Sequence, residues 1–318
     1  MAKRLIPLGA VVPLLLFLAT GALAADKLRM GTSLRFSVFY DLIALAGEEK
    51  AFWKENGLAV EWVPFRGGAD QQRAMAAAAI EVALSDISSF LVAASAGVPV
   101  IMVADMGTPD DFAIVVRGDL PIKEAKELKG TRLGILRAGG ASYVYGLFLG
   151  KALGLEKDIK LVAGGGIAEE LAAIKAGAME GRVTSLAAVM PVMVKGELKA
   201  IVQAKDYLPK EWITRMVSAR RDLVENQPEV VKRFVKAFLQ VTNFMMANAD
   251  WNVAKMKTHF KYTDEVARAV LPLVRFTRDG RIEKKALDNV LAFFVEYGVL
   301  AKEKVPPADK LFTNRFTE

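Results

Sequence analysis

Between residues 27 and 204, short runs of apolar and β-branched residues alternate with helix-length segments. That alternation confines the chain to an α/β fold with mostly parallel strands. The spacing predicts strands over 28–31, 59–65 and 82–84, and helices over 42–54, 69–79 and 88–96. Leu42, Leu45, Ala46, Glu49 and Trp53 recur at helical intervals, and Asn56-Gly57 closes that segment. Residues 98–104 are apolar without a break, the pattern of a buried parallel strand. A second set follows Gly118, with strands over 132–136, 159–162, 182–185 and 198–204 and helices over 142–153 and 168–176.

The last third is helical. Gln227-Pro228-Glu229 starts a helix, because proline fits the first helical position and glutamate suits the positive end of the dipole. Val231, Phe234, Val235, Phe238 and Val241 then share one apolar face, and further helices are expected over 252–260, 264–273 and 283–297. Extended runs at 112–117 and 213–219 bracket the second set and are read as the two crossings between lobes. The expected order is a first lobe over 25–115, an inserted second lobe over 116–214, and a helical return to the first over 215–318. No internal repeat stands out.

The first 24 residues read differently. Lys3 and Arg4 precede an apolar run over 5–22, and Ala22-Leu23-Ala24 supplies a small-x-small cleavage pattern, so 1–24 is expected to be a signal peptide. No later segment offers roughly 18 consecutive apolar residues. The chain has no Cys, which excludes disulfides, thiolate ligands and a lipid-anchoring cysteine after the cleavage site. The expected location is the periplasm, without a lipid anchor. Removing Lys3 and Arg4 lowers the formal charge from +7 to +5, and the remaining excess is scattered rather than gathered into a basic stripe, so no nucleic-acid partner is expected.

His259 is the only histidine, so a Ser-His-Asp triad has a single candidate base, and it sits among the C-terminal helices as a packed or solvated helix-end residue. One His and no Cys leave a zinc site almost nothing but carboxylates. No catalytic residue, metal or cofactor is expected.

Ligands of open α/β lobes sit at the carboxyl ends of strands. Residues 137–142 follow a strand and open a helix. The N–H groups of Gly140, Ala141 and Ser142 with the helix dipole would hold an anion, and Arg137 would add a forked contact. The same stretch also reads as a Gly-rich turn with Ser142 as N-cap. Gly67 and Gly68 offer a similar backbone turn, where Asp70 caps its own helix. The loop over 32–40 brings Ser33, Leu34, Arg35, Phe36 and Phe39, a mixture fit to sandwich an organic body, although its rings serve equally as core or lid. Ser85 and Asp86 end one strand, with Asp86 also placed to cap the next helix, and Thr184 and Ser185 end another. Gly164-Gly165-Gly166 is followed at once by Glu169 and Glu170, so that turn reads as structural.

Ala46-Gly47 to Phe52-Trp53 with Asn56-Gly57-Leu58, then 65–70, Ser85-Asp86 and 128–134, stand in an order and spacing that resembles one family. It is the ABC-importer substrate-binding proteins of the nitrate, sulfonate, taurine and thiamine-precursor group. The resemblance spans essentially all of the chain after residue 24. It implies a two-lobe periplasmic-binding-protein fold of type II, a small-molecule ligand in the cleft between lobes, a monomer, and a membrane permease with its ATPase as partners. Many relatives carry an Asp-Ala pair where this chain has Thr184-Ser185, so a ligand amine would lack its carboxylate here. The expected ligand is a small organic anion, a sulfonate or carboxylate. A ligand-presenting sensory protein and a binder of a neutral thiamine- or pyrimidine-precursor heterocycle are the alternatives.

Overall fold

The computed structural model describes residues 25–317. The expected signal peptide and its cleavage site lie outside the described residues. The first run of elements is β1 (Asp26–Thr32), α1 (Val38–Glu49), α2 (Phe52–Glu55), β2 (Leu58–Pro64), α3 (Gly68–Ala76), β3 (Val82–Asp86), α4 (Ile87–Ser95) and β4 (Val100–Asp105). The second is β5 (Phe112–Arg117), β6 (Arg132–Ile135), α5 (Ala141–Ala152), β7 (Lys160–Ala163), α6 (Ile167–Lys175), β8 (Gly181–Ser185), α7 (Leu186–Met193) and β9 (Leu198–Gln203). The chain then adds β10 (Arg215–Arg220), α8 (Arg221–Asn226), α9 (Pro228–Ala247), α10 (Ala249–His259), α11 (Asp264–Val270) and α12 (Lys284–Glu296).

Two five-stranded sheets result, ordered β2-β1-β3-β10-β4 and β7-β6-β8-β5-β9. In each, three strands pair in parallel through crossover helices. The fourth is the strand laid down on arrival from the other sheet, and it pairs antiparallel on both sides. The runs at 112–117 and 213–219 are therefore strands inside the sheets, and the chain passes between sheets at 106–111 and 207–214. The apolar run at 98–104 contributes β4, an edge strand bonded antiparallel to β10. Phe312 covers its open side through a parallel bridge to Met102. The helix expected over 42–54 breaks in two, because Ala51 takes a left-handed φ of 57°. The break turns Trp53 inward to stack on Phe234 at 5.6 Å.

The two sheets repeat each other in detail although their sequences do not. Arg29 of β1 donates to Glu81 from its backbone N (2.8 Å) and Nε (3.1 Å), and to the Ala78 carbonyl (3.0 Å). Arg132 of β6 does the same with Glu180 (2.7 and 3.1 Å) and the Gly177 carbonyl (3.0 Å). Gly31 pairs with Ala83 in one sheet as Gly134 pairs with Arg182 in the other. The apolar face of α9 is buried in the core of the first sheet. Helix α12 instead lays Phe293 and Tyr297 on Phe148 of α5, at 4.4 and 5.1 Å.

Candidate functional site

A cleft of about 730 Å³, counted out to its open mouth, lies where the carboxyl ends of β1, β3, β6 and β8 face each other. Its walls are largely apolar, from Leu34, Val38, Phe39, Phe112, Leu136 and Ile167, with the buried Tyr40 adding a hydroxyl. Burial pushes the Tyr40 hydroxyl up to about 12, so it stays a neutral hydrogen-bonding group.

Five helices of nine or more residues begin at this cleft, α1, α3, α4, α5 and α6. A helix cannot satisfy its own first N–H groups, and the N-cap residues Ser37, Gly67, Gly140 and Gly166 lend no side chain to theirs, although Asp41 accepts from the Ser37 N–H at 3.3 Å. The first turns of these helices, with their positive dipole ends, thus face one volume, an arrangement suited to negative charge. Gly68 is required by packing. A Cβ there would lie 2.0 Å from the Ser89 Oγ and 2.7 Å from the Asp86 Oδ2.

The charged groups among the lining residues are Arg137, Arg182, Arg215 and Asp86. Asp86 is occupied: its carboxylate accepts from the Ser89 N–H (2.7 Å) and hydroxyl (2.9 Å), capping α4. Burial raises its carboxyl, and those hydrogen bonds oppose the rise. Arg215, at the head of β10, is 3 % exposed. It donates to Asp111 (2.6 Å), the Thr108 hydroxyl (3.2 Å) and the Pro109 carbonyl (3.3 Å), and lies 3.8 Å from the centre of the Phe39 ring. Burial disfavours its charge, but the Asp111 carboxylate, through its field and its hydrogen bond, outweighs it and holds the guanidinium above its ordinary value. Asp111 also accepts from the Ser185 hydroxyl (2.5 Å) and the Ala187 N–H (3.1 Å), tying the first crossing to the start of α7.

Of the residues singled out in the sequence, Ser33, Leu34, Phe39, Gly67, Gly68, Asp86, Arg137, Gly140, Ala141, Ser142, Thr184 and Ser185 line the cleft. Arg35, Phe36 and Ser85 do not. Arg35 is exposed, its N–H bonded to the Phe65 carbonyl at 2.8 Å. A left-handed φ of 58° accompanies the outward turn of Phe36, whose ring is 62 % exposed. Ser85 is wholly buried, with its hydroxyl spent on the Gln71 side chain at 2.7 Å. Arg137 is half-exposed and its Nε sits 3.2 Å from Asp70, so it bridges the loops of the two sheets across the mouth. The Ser142 hydroxyl accepts from the Leu136 N–H (2.9 Å), back along the chain rather than from its own helix.

Two cleft arginines, Arg182 and Arg215, were missed. Arg215 carried a signal, a charge set among Ile213, Met216 and Val217 that needs a buried partner, whereas Arg182 stands between Glu180-Gly181 and Val183-Thr184 with no such mark. His259 lies closer to the site than its place in the chain implied. Its Nε2 is 3.0 Å from Asp41 of α1. Burial pushes the Asp41 carboxyl up to about 6 against the pull of the imidazole. Among the described residues no group of three or more His, Asp or Glu is placed to hold a metal, and no helix is long and apolar enough to cross a membrane.

A family profile described as NMT1/THI5 like matches residues 39–250, more than half of the chain. A putative binding protein of Brucella abortus is 24% identical over 291 residues, covering 86% of this chain and 87% of its own. The periplasmic aliphatic sulphonate binding protein SsuA of Escherichia coli superposes with a TM-score of 0.75 at 16% identity, covering 91% of this chain and 92% of that one. The periplasmic nitrate-binding protein NrtA of Synechocystis PCC 6803 gives 0.73 at 16%, covering 92% and 87%.

Proposed function

The chain belongs to the NMT1/THI5-like family, and from that premise we propose that it is an extracytoplasmic solute-binding protein of an ABC importer that captures a small organic anion. It is a binding protein and not an enzyme. The observation that carries the ligand class is the meeting of the helix N-termini of α1, α3, α5 and α6, whose caps carry no side-chain bond, with buried Arg215 in one cleft. Asp86, the one lining carboxylate, is already spent on a helix cap. The apolar walls call for a carbon body, which separates a sulfonate or carboxylate from a bare inorganic ion. Similarity to proteins that bind aliphatic sulphonate and nitrate supports the same direction.

The two sheets with their helices act as two lobes, joined by the crossings at 106–111 and 207–214. Closure about such narrow connections is a hinge motion. The closed form is then delivered to a membrane permease and its ATPase. A thermal-shift screen of purified protein tests the ligand class. At a concentration a hundred times its Kd, a ligand adds about 2.7 kcal/mol of stability. Alkanesulfonates and arylcarboxylates are expected to raise the melting temperature, whereas amines and neutral heterocycles are not. Stabilisation by the latter alone would overturn the reading.

A further inference from the structure

The repetition between the two sheets exposes one place where they part. In the first sheet, Gln71 in the first turn of α3 is fully buried, and its amide donates to the Gly31 and Leu84 carbonyls, both at 2.9 Å. Its amide oxygen accepts from the Ser85 hydroxyl at 2.7 Å. Every polar atom is used, and the β3 residue beside Gly31 is a small Ala83. The second sheet puts Glu170 at the position of Gln71 and Arg182 at that of Ala83.

This buried pair is poorly satisfied. Glu170 is 0 % and Arg182 1 % exposed, and the nearest approach is 3.3 Å from Nη2 to Oε2. Neither Glu170 oxygen has a hydrogen-bond partner, nor does the Arg182 Nε. The one hydrogen bond the Arg182 side chain makes is a long 3.5 Å contact from Nη1 to the Ile167 carbonyl. The Glu170 side chain fits only because Gly134 and Gly164 leave it room, since a Cβ on Gly134 would come within 2.7 Å of Oε2 and one on Gly164 within 2.1 Å of Cγ. A pair kept for stability alone would be expected to satisfy its hydrogen bonds, and the first sheet closes the same joint without charge. Arg182, unlike Ala83, lines the cleft.

We propose that Arg182 is an exchangeable anion contact: it turns from Glu170 to the acidic group of the ligand, and Glu170 takes up a proton from solvent as it is released. The proposal rests on the anion reading of the cleft. The charged groups facing Glu170 are Arg182 of β8 and Glu169 of its own helix, while β6 and the loop before α6 present only Gly134 and Gly164. Burial raises the Glu170 carboxyl to about 7 even with Arg182 drawing it down. Neutralising Arg182 with a ligand removes that restraint, so above pH 7 binding draws in a proton. Each proton taken up makes affinity fall about ten-fold per pH unit of rise.

Calorimetry at pH 8 with hexanesulfonate and with benzoate, each in Tris and in triethanolamine, counts the protons from the buffer heats. Wild type is expected to take up between about half and one proton per ligand. Glu170→Gln is expected to bind with none. A double variant copying the first sheet, Glu170→Gln with Arg182→Ala, is expected to melt no lower than wild type and to bind at least about ten-fold weaker. Anion binding by wild type without proton uptake, or a double variant that binds like wild type, overturns the exchange and leaves the anion cleft standing. Failure of wild type to bind either probe removes the anion cleft and the exchange with it.

Discussion

Arg215 is gripped by Asp111, by the Thr108 and Pro109 oxygens and by the face of Phe39, so little freedom is left to lose when it meets a ligand. The same burial makes it costly to disturb. Arg215→Met leaves Asp111 buried with its charge uncompensated, and breaking such a pair costs about 3–5 kcal/mol. Urea unfolding of Arg215→Met, Asp111→Asn and the double variant is expected to show that loss in the first. The double variant should recover most of it, because no buried charge is then orphaned. Equal losses in single and double variants would mean that the pair is not coupled. Arg137 contrasts with it: half-exposed and shared with Asp70, it belongs to a class of ion pair worth about 0–1 kcal/mol. Sequence spacing marked Arg137 because it precedes a glycine turn, while Arg182 and Arg215 sit inside strands where periodicity assigns no role to a charge.

At the scale of elements, the site depends on where α1, α3, α5 and α6 begin, and glycine sets that position for α3. Gly68→Ala would force a Cβ into the Ser89 hydroxyl and the Asp86 carboxylate. The N-terminus of α3 must then shift, and calorimetry is expected to show at least about ten-fold weaker anion binding, as a small misplacement of a positioned donor allows. Affinity equal to wild type would show that α3 contributes no contact. The order of strands and helices was legible because apolar periods of two and 3.6 are local signals. Strand pairing was not, since nothing local tells β10 to enter between β3 and β4. Helix α7 went unread because Pro191 interrupts an apolar stretch that carries no polar face. The crossings were misplaced by a few residues because 106–111 and 207–214 have no pattern of their own, whereas the strands beside them are strongly apolar. The cleft loops were legible for a different reason, since strand-to-helix turns in an α/β lobe converge by construction.

Across the whole molecule several carboxyls are buried. Burial pushes Asp105 and Asp110 up to about 6 and Glu170 to about 7. Between roughly pH 4 and 7 the folded state therefore holds protons that the unfolded chain has released, and stability falls as pH rises through that window. Glu81 and Glu180, lowered by their arginines despite some burial, act oppositely, but their contribution is lost only at more acidic pH. Scanning calorimetry is expected to give a higher melting temperature at pH 5 than at pH 8, with a smaller difference in Asp110→Asn. A rise from pH 5 to 8 would contradict it. If the cleft between the two sheets selects its ligand by negative charge, removing that charge from an otherwise unchanged ligand must cost affinity. Calorimetric titration of benzoate against benzamide, and hexanesulfonate against hexanesulfonamide, changes little but that charge. At least one of the two anions is expected to bind 1:1, at least about 30-fold tighter than its neutral partner, as the loss of one side of a desolvated charge contact implies. Equal affinity within each pair, or preference for the neutral member, would contradict it.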